Sequence, residues 1–174
     1  MRNDYLNEGL VSLIEYVTAG KDAKNLTMIE IGSYVGESTQ VFANYFGKVI
    51  SVDPFENNYD MNDAACHHAD FNDVYFKFLE NMKSFENVKN IKKKSDDAII
   101  DLKEQQYDFI YIDGMHTYEQ VKKDILNYKD LIKPGGFIGG HDYSDYWLDV
   151  VKAVDECLGK PDKTFQDTSW TKKL

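Results

Sequence analysis

The 174-residue chain has only two cysteines, Cys66 and Cys157, too few for a disulfide framework and without metal-type spacing. That scarcity fits a reducing compartment and leaves both thiols as ordinary core or surface groups. Long apolar runs are also missing. No stretch approaches the length needed to span a bilayer, and the opening MRNDYLNEGL has no basic segment followed by an apolar one. The expectation is a soluble, cytoplasmic protein. Positive charge is in deficit, with 20 Lys and Arg against 30 Asp and Glu and a net charge of −10. So acidic a surface repels phosphate backbones instead of releasing their counterions, so nucleic acid and anionic membranes are not expected as partners. Internal repeats, low-complexity segments and linkers are absent too, which points to one domain over residues 1–174.

What is present is enough apolar material, 43% of residues, to bury one core. Leu6, Leu10, Leu13, Ile14 and Val17 recur at helical spacing before Gly20, so the segment 1–20 carries an amphipathic helix over 4–19. Beyond it, short apolar runs alternate with helical ones. Strands are expected at Thr27–Ile31, Val49–Asp53, Asn90–Lys94, Tyr107–Asp113 and Gly136–Gly140, with helices near 37–46, 71–84, 96–103, 117–132 and 146–158. Such alternation gives an α/β fold with a doubly wound, mostly parallel sheet and helices on both faces. NIKKK is polar and belongs at the edge, while TFQDTSWTKKL has the alternation of a closing strand or hairpin.

In MIEIGSYVGESTQVFA, two glycines four apart sit between a strand and a helix. A doubly wound sheet binds ligands beyond the carboxyl ends of its strands, and this loop is the usual cradle. A pyrophosphate-binding loop reads G-x-G-x-x-G, and here the spacing is G-x-x-x-G. Glu30 and Glu37 flank the loop, so the expected ligand carries a positive end rather than a phosphate. Asp53 closes the second strand, from which a carboxylate can accept hydrogen bonds from both hydroxyls of a ribose. S-adenosylmethionine, a nucleoside with a cationic amino-acid tail, satisfies both sites.

From Met28 to about Tyr143 the chain resembles the class I S-adenosylmethionine-dependent methyltransferases, whose fold is Rossmann-like. E-I-G-S-Y-V-G-E-S is similar to the family's glycine loop, V-I-S-V-D to its ribose-binding strand end and K-S-D-D to its adenine turn. Y-D-F-I-Y-I-D-G-M-H-T-Y and K-P-G-G-F-I-G-G-H-D-Y resemble the fourth and fifth strands. The resemblance implies a cofactor site of Glu30, Gly32, Ser33, Tyr34, Gly36, Ser38, Asp53, Ser95, Asp96 and Asp113. Singly, each piece has a plainer reading: a turn, a capping Asp53, or a helix start at Ser95 and Asp96.

D-G-M-H-T-Y followed by G-H-D-Y resembles the O-methyltransferase branch that includes macrocin-type sugar methyltransferases and, more distantly, catechol and caffeoyl-CoA enzymes. The implied reaction is methylation of a hydroxyl on a small-molecule acceptor, a sugar or sugar-bearing metabolite first. Asp113 and Asp142 match the branch's ligands for a magnesium-type ion, and ends of neighbouring strands lie close enough to share one cation. His141 stands where a carboxylate is usual, and its nitrogen suits a transition metal better. Metal candidates are therefore Asp113, His141 and Asp142, and catalytic candidates Asp113, His116 and His141, with the histidines as bases. His116 has the alternative of capping the helix at Thr117, and His141 that of a supporting hydrogen bond.

Residues 56–70, ENNYDMNDAACHHAD, form the longest polar insertion and the expected lid. Cys66, His67, His68 and Asp70 crowd together without zinc-site geometry, so a solvated loop is the better reading. Phe71, Val74, Tyr75, Phe78, Leu79 and Met82 mark a helix face and are expected in the core. A non-catalytic cofactor-binding or protein-interaction module and a nucleotide-dependent oxidoreductase stand as alternatives, and a homodimer is left open.

Overall fold

The computed structural model describes residues 4–61, 66 and 68–174. Leu10, Leu13, Ile14 and Val17 fall on one side of the first helix, α1 (Asp4–Val17), and all four are buried. Strands and helices then alternate: β1 (Thr27–Ile31), α2 (Glu37–Tyr45), β2 (Lys48–Val52), α3 (Phe71–Met82), β3 (Val88–Ile91), α4 (Ser95–Leu102), β4 (Tyr107–Ile112), α5 (Tyr118–Tyr128), β5 (Ile132–Gly140), α6 (Leu148–Leu158), β6 (Lys163–Thr164) and β7 (Trp170–Lys173). Among the described residues no helix is long and apolar enough to cross a membrane.

The sheet order is β3-β2-β1-β4-β5-β7-β6. Pairs β1–β2, β2–β3, β1–β4 and β4–β5 are parallel, and β7 closes the sheet antiparallel to β5 and β6. This is the expected α/β, Rossmann-like doubly wound sheet with a C-terminal hairpin. Alternation along the strands sorts the core into two layers. Met28, Val49, Phe109 and Tyr111 pack with α1 and α2, whereas Ile29, Ile31, Ile50, Ile110 and Ile112 pack with α4, α5 and α6. Strand order reverses between β1 and β4, which puts the ligand crevice at their carboxyl ends.

Three local expectations change. The fifth strand begins at Ile132, so KPGG lies within it: Gly135 takes φ +77, and the register against β4 shifts between Tyr107 and Phe109. A bulge of this kind lets a strand pass through a turn-like sequence. Polar β3 does lie at the sheet edge, but it runs over Val88–Ile91. On α3, Phe71, Val74, Phe78 and Met82 are buried, Tyr75 is half-buried, and Leu79 faces solvent.

Candidate functional site

A cavity of about 360 Å³ opens at the carboxyl ends of β1, β2, β4 and β5, within the size range of small-molecule sites. Its first wall is the loop after β1. Gly32 adopts φ +88, its N–H donates to the Val52 carbonyl at 2.9 Å, and Ser33 and Tyr34 follow along the cavity. Asp53 staples this loop to β2, its carboxylate accepting the N–H groups of Ser33 (2.9 Å), Tyr34 (3.0 Å) and Phe55 (2.8 Å). Burial pushes the Asp53 carboxyl up, against the lowering effect of those three donors. Tyr34 and Asp142, both on the cavity wall, have positive φ, so non-glycine residues with a sparsely populated backbone conformation occur on both sides of this crevice.

Of the residues expected around the cofactor, Gly32, Ser33, Tyr34, Ser38, Asp53, Ser95 and Asp113 line the cavity. Glu30, Gly36 and Asp96 do not. Glu30 is fully buried and shares a strand face with Met28, beneath α2, where its carboxylate accepts the Ser38 hydroxyl at 2.6 Å and the Thr39 hydroxyl. It fixes the start of α2 instead of facing a ligand, and Glu37 is the carboxylate that reaches the wall. Gly36 is the N-cap of α2, pressed against Phe78 and Met82 of α3. Asp96 pairs with Lys123 at 2.6 Å.

At the other end, the structure brings Asp113, His116, His141 and Asp142 into one cluster. His116 Nε2 lies 2.9 Å from Asp142 Oδ2 and 3.9 Å from Asp113 Oδ1. Its Nδ1 lies 2.8 Å from Asp60 Oδ2, which also accepts the His116 N–H at 2.9 Å. Burial disfavours the charged imidazole, but hydrogen bonds to Asp113, Asp142 and Asp60 outweigh it and push the pKa up to about 12. Burial opposes the Asp142 charge as well, and the two histidines nevertheless hold its carboxyl well below the usual range. His116 is thus an imidazolium, stacked on Trp147 at 4.4 Å between ring centres. It does not cap α5, because Thr117 does so with its own hydroxyl.

His141 Nδ1 lies 3.1 Å from Asp142 Oδ1 and 3.9 Å from Asp113 Oδ1. Asp113, His141 and Asp142 each offer one ligand atom, all within 4.8 Å of one another. Those donors fit a divalent cation, with the nitrogen favouring a transition metal. Electroneutrality alone does not demand an ion, since the His116 imidazolium already lies between the two carboxylates. Among the described residues this is the one such group of potential ligands. In the expected lid, residues 62–65 and His67 lie outside the described residues; Asp70 caps α3 by accepting the Asn72 N–H, while Tyr59, Asp60 and Cys66 line the cavity.

Sequence reasoning missed Asp60, Asp124 and Trp147, all on the wall. Asp60 meets His116 across 56 positions, a separation at which a sequence gives no sign of contact. Asp124 was open to detection, because it interrupts the buried stripe of Val121, Ile125 and Tyr128.

A family model described as a methyltransferase domain matches residues 29–143. The uncharacterized protein R132 of Acanthamoeba polyphaga mimivirus is 28% identical over 160 residues, covering 84% of this chain and 65% of that protein. The chain therefore spans just under two thirds of the length of this curated relative. Among solved structures, apo CalS11, the TDP-rhamnose 3'-O-methyltransferase of calicheamicin biosynthesis, is 11% identical with a TM-score of 0.65 over 97% of this chain and 78% of that one. The N-methyltransferase NodS of Bradyrhizobium japonicum WM9 bound to S-adenosylhomocysteine is 14% identical with a TM-score of 0.64, covering 98% and 88%. At such identities the likeness is one of fold.

Proposed function

Because the chain belongs to this methyltransferase-domain family, we propose that it uses S-adenosylmethionine to methylate a hydroxyl of a small molecule. The observation that carries the reading is the single cavity wall joining the loop at Gly32, the strand-end Asp53 and the cluster of Asp113, His116, His141 and Asp142. S-adenosylmethionine would supply a methyl group activated on a sulfonium. The backbone of Gly32–Val35 and the Asp53 carboxylate would hold its nucleoside and tail, with Ser95 beside the base. In-line transfer requires an aligned acceptor and removal of its proton. His116 is already charged, so that proton would pass to His141 or Asp113, while Trp147 and Asp142 fix the geometry around them.

The acceptor is proposed to be a sugar or sugar-bearing metabolite, a reading supported by the name of CalS11 and by the polar cluster. No Lys or Arg is among the described residues lining the cavity, so the wall offers no counter-charge to a phosphate. That favours an uncharged or amine-bearing sugar over a nucleotide-linked one such as the TDP-rhamnose in the name of CalS11, so that name supports the sugar and not its carrier. In the metal-assisted alternative, Asp113, His141 and Asp142 would instead hold a divalent cation that lowers the pKa of the acceptor hydroxyl, and would then serve as its ligands and not as the base.

The test is calorimetry with S-adenosylhomocysteine, then transfer of labelled methyl to a panel of neutral and amino sugars with and without chelator. Binding and transfer are expected, with Asp142→Asn slowing turnover and leaving cofactor affinity nearly intact. Absence of binding sinks the reading. Binding without transfer to any acceptor would leave a cofactor-binding module, and full turnover in excess chelator would remove the metal.

A further inference from the structure

Asp124 sits on the apolar stripe of α5 and is 1% exposed. Its partners are neutral: Gln120 Nε2 donates to Oδ1 at 3.0 Å, and Ser95 supplies a second hydrogen bond. The neighbouring cation, Lys123, is committed to Asp96. A buried carboxylate so weakly compensated is costly, yet Asp124 lines the cavity together with Ser95 and Tyr59.

We propose that Asp124 reads the base of the cofactor, pairing with N1 and the exocyclic amine of adenine. The inference rests on the cofactor reading above and names a specificity-determining residue within it. A neutral carboxyl presents one donor and one acceptor, the complement of adenine's N1 acceptor and amino donor. Burial supplies the neutral form. It raises the Asp124 carboxyl to about 7, helped by the charge of Asp96 and opposed by Ser95, Gln120 and Lys123. The other groups facing it are Tyr59 from the loop after β2 and Tyr128 from its own helix, both pushed up by burial and so neutral. Asp96, where adenine recognition was expected, is turned to Lys123 and away from the wall, which leaves the role to α5.

The experiment compares S-adenosylhomocysteine with its unsubstituted-purine analogue, which lacks the exocyclic amino donor and so leaves the carboxyl oxygen that would accept from it unpaired, by calorimetry at pH 6 and pH 8.5. The unsubstituted protein is expected to prefer the adenine ligand by about tenfold or more at pH 6, and to lose several-fold of that affinity at pH 8.5 as the carboxyl ionises. Asp124→Ala should erase the preference. Asp124→Asn keeps a donor, an acceptor and the side-chain shape, so it should bind the adenine ligand well and equally at both pH values. It also serves if the alanine variant does not fold. An undiminished preference in Asp124→Ala, or the same pH dependence in Asp124→Asn as in the parent, overturns the assignment. Failure of the parent to bind either ligand instead overturns the cofactor reading, and this inference with it.

Discussion

Replacing Gly32 with alanine tests how tightly the two halves of the site are joined. A Cβ there would lie 1.9 Å from the Asp113 carbonyl oxygen, 2.4 Å from its carbon and 2.8 Å from the Gly114 Cα. All three are backbone atoms, so no rotamer change relieves the clash, and the loop after β4 must move. Two costs combine: about 1–2 kcal/mol for an L-residue at φ +88, and about 1–3 kcal/mol for overpacking. The sum, about 2–5 kcal/mol, is a large share of the total stability of an ordinary domain. Gly20 is the control, because it has φ +74 but nothing within 4 Å of an added Cβ. Gly20→Ala should therefore cost only the conformational part, about 1–2 kcal/mol. Urea unfolding of both variants gives the comparison, read as midpoints at constant slope. S-adenosylhomocysteine titration should show that only Gly32→Ala loses affinity. Equal destabilisation by the two substitutions would mean that the loops are not in rigid contact.

Asp53→Ala should reduce stability as well as cofactor affinity, since it strips the acceptor from three backbone N–H groups; a loss on the order of 2–4 kcal/mol in urea unfolding is expected. A variant with reduced affinity and unchanged stability would show that the staple is not formed. For His116, the folded pKa of about 12 lies above the ordinary 6.5, so its stabilising effect is complete below pH 6.5 and declines as pH rises toward the folded value. Unfolding midpoints of the parent should thus fall between pH 6.5 and 9 more steeply than those of His116→Gln, and parallel curves would refute the imidazolium.

The strand ladder was legible because TMIEI, KVISV and YDFIYI are short, apolar and bounded by turn residues, which parallel pairing buried on both faces requires. Side-chain direction is legible in the sequence too. Glu30 is two residues from Met28 and so shares its face under α2, which already argued against a ligand-facing role. The start of β5 was hidden by KPGG, whose glycine serves a bulge instead of a turn. At the site, Asp113, His141 and Asp142 follow from strand ends, and their mutual distance follows from strand spacing. The counter-charge did not follow, because it comes from His116 folded back and held by Asp60, and no local pattern encodes a contact between loops of different strands.

The seam between β1 and β4 has a kinetic consequence. Thr27 N–H meets Asp108 Oδ2 at 3.0 Å across 81 positions, whereas β1 with β2 and β4 with β5 join over much shorter chain lengths. Closing the long loop carries its entropy cost before any contact rewards it, so the expected order is two separate parallel pairs first and the seam afterwards. The Gly32 loop and the Asp113 loop meet only across that seam, and no cavity exists before it closes. A ligand bound there would slow unfolding and leave the folding rate nearly unchanged, because its contacts are absent from the species that precede closure.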